Sequence, residues 1–155
     1  MTTTAPTPTY SSAPAVDPRV IALAHYAGRA VLEHVLARHG ATFQQQITLR
    51  PLAIADGPVE REALVGQVAG ALKADTSEVQ GVIDELIAKG LVAADGTSVH
   101  ATDAGREFHA TVTGETSPIS ARIYAGIPAE DLAAAGRVLT LIAERADAEL
   151  AALTA

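Results

Sequence analysis

Residues 75–106 read DTSEVQGVIDELIAKGLVAADGTSVHATDAGR, and this stretch decides the fold. Val79, Val82, Ile83, Leu86 and Ile87 recur at steps of three and four, the apolar face of an amphipathic helix. Asp75, Thr76 or Ser77 offers an oxygen to the unpaired N–H groups of its first turn, and Gly90 offers the left-handed residue that stops it. The spacing predicts a helix over 76–89. Two short apolar segments follow, Leu91-Val92-Ala93 and Ser98-Val99-His100-Ala101, with the pair Asp95-Gly96 as the turn between them, so a small hairpin is expected. Thr102 then opens another helix, its hydroxyl placed to cap and Asp103 near the positive end of the dipole.

Working back from this stretch, Leu64, Val68 and Leu72 predict a helix over 59–72. The link Lys73-Ala74-Asp75 joins it to the next helix with the brevity that a helix-turn-helix requires. Asp56-Gly57-Pro58 breaks the chain before it. Residues 42–55 form a further helix with Phe43, Ile47, Leu49, Leu52 and Ile54 apolar. Pro51 inside it is expected to kink or split it, because the ring clashes with an earlier carbonyl. Asp17 caps the first helix and Pro18 takes its first position, where a missing N–H costs nothing. Val20, Ala24, Ala27, Val31 and Val35 form its stripe, Ile21, Leu32 and Leu36 widen it, and His39-Gly40 ends it. Residues 1–15, MTTTAPTPTYSSAPA, have no charge and no periodicity and read as a disordered tail or an arm.

Working forward, the helix over 102–113 is expected to end at Gly114, with a second piece over 118–125 begun by Ser117-Pro118. Pro128 starts the last helix, where Leu132, Ala135, Leu139, Ile142, Ala146, Leu150 and Leu153 make a heptad-like stripe. Stripes at both ends of a short chain are hidden most economically by pairing with a second copy.

The composition agrees with a mostly α fold carrying a small β-hairpin wing. Of 155 residues 48% are hydrophobic, mainly Ala, Val, Leu and Ile, with no Trp, which suits thin, closely packed helices. Cys is absent, so disulfides and thiol switches are excluded. No long apolar run and no charged-then-apolar leader is present, which reads as a cytoplasmic protein without a membrane partner. Asp plus Glu outnumber Lys plus Arg 18 to 11, for a net charge of −7, and this balance works against nucleic-acid binding unless the contact surface is locally basic.

Helix, Gly-Leu-Val, hairpin and Thr-Asp-Ala-Gly-Arg in this order resemble the winged helix-turn-helix of the MarR family of bacterial transcription regulators. Leu86, Lys89, Gly90, Leu91 and Val92 carry the match at the end of the recognition helix, and Thr102, Asp103, Ala104, Gly105 and Arg106 carry it after the wing. The resemblance covers residues 17–153. It implies one domain over 16–155, with a winged helix at about 42–113 and dimerisation helices at about 17–39 and 117–153. It also implies a homodimer that binds double-stranded DNA at a pseudo-palindromic site under the control of a small aromatic or amphipathic effector.

In such a fold the side chains opposite the buried stripe face the DNA: Ser77, Gln80, Gly81 and Asp84, with Glu78 and Glu85 at the margins. Gln80 has the donor and acceptor to pair with adenine, and Ser77 suits phosphate or base. Gly81 stands where family members often carry a basic residue, and the wing Asp95-Gly96-Thr97-Ser98 lacks their Arg. Phosphate contacts are expected from Arg61, Lys73, Lys89 and Arg106, each of which reads equally well as an ordinary surface charge. The resemblance also implies an effector pocket, for which His25, Tyr26, Arg29, Phe43, Gln44, Arg122 and Tyr124 are the candidates. Arg with Tyr suits an aromatic carboxylate, although Tyr26 and Tyr124 read more simply as interface packing.

No catalytic constellation, cofactor motif or phosphate-cradling loop is present, so no enzyme is expected. The histidines, among them His34, His39, His100 and His109, show no i, i+4 pair, and no metal site is expected. The rival to a DNA-binding regulator is a MarR-like dimer that has lost DNA and serves as a protein-interaction or ligand-binding module. Its support is the acidic balance and the wing without Arg.

Overall fold

The computed structural model describes residues 15–155. The expected N-terminal tail falls, but for Ala15, outside them. The elements in chain order are α1 (Pro18–Arg38), α2 (Phe43–Ile54), β1 (Val59–Glu60), α3 (Arg61–Leu72), α4 (Thr76–Ala88), β2 (Val92–Asp95), β3 (Ser98–Ala101), α5 (Asp103–Tyr124) and α6 (Ala129–Leu153). They form two units, one running to Thr116 and the other from Ser117 to Ala155.

The first unit is organised around α4. Val79, Ile83 and Leu86 are buried, and Val82 and Ile87 pack half-buried beside them, as the spacing predicted. They meet Leu49 and Leu52 of α2, Leu64, Val65 and Val68 of α3, and Val92, Val99 and Ala101 of the sheet. Full burial of a side chain of this size stabilises by about 1.5–3 kcal/mol, so the α4 stripe is a large part of what holds the unit together.

The ends of the helices follow local chemistry. The Asp17 carboxylate accepts from the Val20 N–H at 2.8 Å, and Pro18 takes the first turn of α1. Thr42 and Gln45 form a reciprocal capping box at the start of α2. Gly90 takes φ 72° just past α4, and its neighbour Leu91 donates back to the Leu86 carbonyl at 3.0 Å. Asp75, one of the three residues that offered a cap, is the residue before α4 and makes no side-chain cap bond. Lys73, between α3 and α4, has φ 53°, the one positive φ outside glycine among the described residues. That conformation turns the chain sharply enough for a three-residue link.

The structure corrects the sequence reading at several boundaries. Pro51 does not split α2, which is continuous from Phe43 to Ile54. Pro118 likewise lies inside α5, which runs unbroken through Gly114 where two pieces were expected. A proline removes one donor and crowds one carbonyl, a cost that the remaining bonds of a long helix can carry. Residues 59–60 are not the start of α3: Val59 pairs with Val99 and Glu60 with Ser98, so the wing has three strands in the order β1-β3-β2. The hairpin turn is centred on Gly96 and Thr97, since Asp95 pairs across with Ser98. Gly96 takes φ 59°, as the first central residue of a tight hairpin reversal must.

The second unit contains the end of α5 and all of α6. No residue of α6 is buried, and Val138, Leu139, Leu141, Ile142 and Leu150 are exposed along it.

Candidate recognition surface and cavity

The helix-turn-helix of α3 and α4 sets the outward face of α4 in solvent: Ser77, Gln80, Gly81 and Asp84 are all exposed, with Glu78 and Glu85 beside them. Each lies opposite Val79, Ile83 and Leu86, so burial of the apolar stripe dictates their exposure. Around Gly81 the face is open, with no atom beyond its chain neighbours and the helix's own backbone within 4 Å of where a side chain would begin.

The cations expected to hold phosphates are placed differently. Arg61, at the start of α3, donates from Nη2 to the Asp84 carboxylate at 2.7 Å and to the Gln80 carbonyl at 3.3 Å. Lys89 donates from Nζ to the Gly40 carbonyl at 2.6 Å and to Gln45 Oε1 at 3.0 Å, while Gln45 Nε2 donates to Glu85 at 2.8 Å. This chain of bonds ties the end of α4 to the α1–α2 turn. Arg106 donates to the carbonyls of Ala53 and Ala55 at 3.1 and 3.4 Å, the last carbonyls of α2. Arg61, Lys89 and Arg106 thus serve the protein's own acceptors.

The effector candidates divide as well. Arg29 and Phe43 do meet: the guanidinium lies 4.4 Å from the ring centroid, and its Nε donates to Glu33 at 2.8 Å. They line a cavity of about 160 Å³ together with Gln44, Thr48 and Glu78. Its apolar wall is Val68, Leu72, Ala74, Val79 and Val82. His25 and Tyr26 pack edge-on to each other at 5.9 Å and do not line it. Arg122 and Tyr124 belong to the second unit, on the exposed end of α5.

Sequence reasoning missed the buried polar residues Gln45, Gln46 and Thr48 on α2. The spacing Thr42-x-x-Gln45 was the available signal for the capping box. Nothing local announced that Gln45 would bridge Lys89 and Glu85. Gln46 reaches His109 Nδ1 from Nε2 at 3.3 Å, and its Oε1 is buried without a partner. Burial, and then the charge of Arg50, hold His109 below the ordinary histidine value of 6.5. His39 contacts Glu115 at 2.9 Å, and Arg38 pairs with the same carboxylate. Among the described residues no group of His, Asp or Glu converges as a metal site, and no helix is long and apolar enough to cross a membrane.

No protein-family model and no curated protein matches the sequence. Solved structures do match the fold. CouR from Rhodococcus jostii RHA1 bound to p-coumaroyl-CoA superposes with a TM-score of 0.68 at 21% identity, over 80% of this chain and 88% of that one. A MarR-family transcriptional regulator from Rhodococcus sp. RHA1 gives 0.66 at 21%, over 80% and 89%. Bordetella bronchiseptica BpsR, whose DNA binding is regulated by 6-hydroxynicotinic acid, gives 0.65 at 20%, over 88% and 99%. With its α3–α4 helix-turn-helix, three-stranded wing and flanking helices, this chain has the MarR-type winged helix-turn-helix fold.

Proposed function

We propose that this protein is a MarR-type transcription regulator that binds double-stranded DNA as a homodimer. The observation that carries the reading is the outward face of α4, where Ser77, Gln80 and Gly81 are exposed and small or amide-bearing, with open space at Gly81. A helix with such a face can enter the major groove closely, with Gln80 placed to pair bidentately with adenine and Ser77 to meet a phosphate or base. The exposed apolar positions of α6 support pairing with a second copy, which would bring a second α4 to the adjacent half-site. The cavity beneath the start of α4 supports control by a small effector, since Val79, Val82 and Glu78 are both wall and recognition helix.

A second reading has its own observation. Arg61, Lys89 and Arg106 are engaged within the chain, and α4 itself carries Glu78, Asp84 and Glu85 with no Lys or Arg inside its bounds. A surface of this charge suits a module that binds a protein or ligand and not DNA.

Titration against duplexes selected from random sequence, at two salt concentrations, separates the two. Retention of a selected sequence that weakens with salt supports the regulator, and Gln80→Ala should then weaken the selected site more than random DNA. A folded dimer that retains no duplex at low salt leaves the module.

A further inference from the structure

We propose that the cavity between α1, α2, α3 and α4 takes a single-ring molecule carrying a positive charge, with Glu78 as its counter-ion. The size of the space comes first. At about 160 Å³ it compares with an apolar cavity of about 150 Å³ known to accept benzene, so one six-membered ring fills it. Val68, Leu72, Val79 and Val82 offer that ring an apolar wall.

The charges on the wall then select the substituent. Arg29 is the obvious partner for a carboxylate, but its charge is already matched: Glu33 accepts from it at 2.8 Å and Phe43 lies 4.4 Å beneath it. Glu78 also lines the cavity, and its carboxylate has no hydrogen-bond or ion-pair partner among the described residues. The charge on the cavity wall that no side chain pairs among the described residues is therefore negative. An ammonium or amidinium group gains an ion pair there, whereas a carboxylate meets repulsion from Glu78 and finds in Arg29 a guanidinium whose charge Glu33 already matches. Because Glu78 stands in the first turn of α4, the guest would sit against the helix that carries Ser77 and Gln80. Only its effect on DNA rests on the regulator reading; binding does not, and the experiment leaves DNA out.

Benzylammonium, benzyl alcohol and benzoate would be titrated into the 155-residue protein while methyl resonances of Leu72, Val79 and Val82 are followed by NMR. The expected result is shifts at these methyls, with benzylammonium bound about twofold to fivefold more tightly than the alcohol, the preference that an ion pair open to solvent confers, and benzoate bound most weakly. Glu78→Gln should erase the preference for the cation while keeping the shifts with benzyl alcohol. Val82→Phe, which fills the space, should abolish all three titrations in a protein with an unchanged circular dichroism spectrum. Tightest binding of benzoate, equal affinity for all three in the unmodified protein, a cation preference that survives Glu78→Gln, or no shifts with any probe would each overturn the proposal.

Discussion

Gly105 sits where a side chain has no room: a β-carbon there would lie 2.0 Å from the Leu91 carbonyl oxygen and 3.4 Å from Leu49 Cδ1. The Leu91 carbonyl also accepts from the Thr102 N–H at 3.1 Å, and the Thr102 hydroxyl donates to Gly90 and accepts from the Gly105 N–H. The first turn of α5 is thus locked onto the end of α4. Gly105→Ala should destabilise by about 2–4 kcal/mol in urea unfolding, since backbone must move to admit it. His109 gives a prediction in pH. Its folded value is lowered below 6.5, so the unfolded chain takes up the proton first. The stability it contributes is complete above that value and is lost as pH falls through it toward the lowered folded value. Urea midpoints should therefore drop as pH falls through 6.5 toward the lowered folded value, and less steeply in His109→Gln. Asp84 offers a third test. It holds Arg61 at 2.7 Å, so Asp84→Asn should loosen that guanidinium and steepen the salt dependence of DNA binding by about one counterion. An unchanged slope would show that Arg61 stays with α4. The sequence spoke unevenly at this scale. Gly90 was readable as a helix stop because its reason is local, whereas Gly105 was placed only through family resemblance, because its reason is a carbonyl on another element.

Whole helices were more legible than their single residues. The stripe of α4 and the Asp17-Pro18 start of α1 were read at their correct positions, since three- and four-residue periodicity and capping are properties of contiguous chain. The break expected at Pro118 did not occur, and at Pro51 the helix did not split, because the local rule counts the bond lost and not the bonds that remain. β1 was hidden because two residues have no period and acquire strand character only by pairing with β3. The cations of the candidate site were illegible for a related cause: a lysine or arginine shows its charge in sequence but not its acceptor. Lys89 ties α4 to the α1–α2 turn and Arg106 closes α2. Lys89→Met and Arg106→Met should each lower stability by about 1–3 kcal/mol, the worth of charged hydrogen bonds, while leaving the salt slope of DNA binding unchanged. A flatter slope would return them to the phosphate backbone.

At the scale of the molecule the deciding feature is the exposed apolar face of α6. Leu139 and Ile142 are exposed on α6, and a charge at either should be harmless to a solitary chain and ruinous to a paired one. Leu139→Asp with Ile142→Asp should give a sedimenting monomer whose core helices α2, α3 and α4 remain folded by amide exchange. A dimer that persists would place the contact elsewhere. The bare stripe of α6 has a quantitative corollary as well. A chain that must pair to cover it responds to its own abundance: while single chains dominate, the number of pairs rises as the square of their concentration. Occupancy of a target would then climb with a threshold and not in proportion, and small changes in synthesis or turnover would be amplified before any effector is bound.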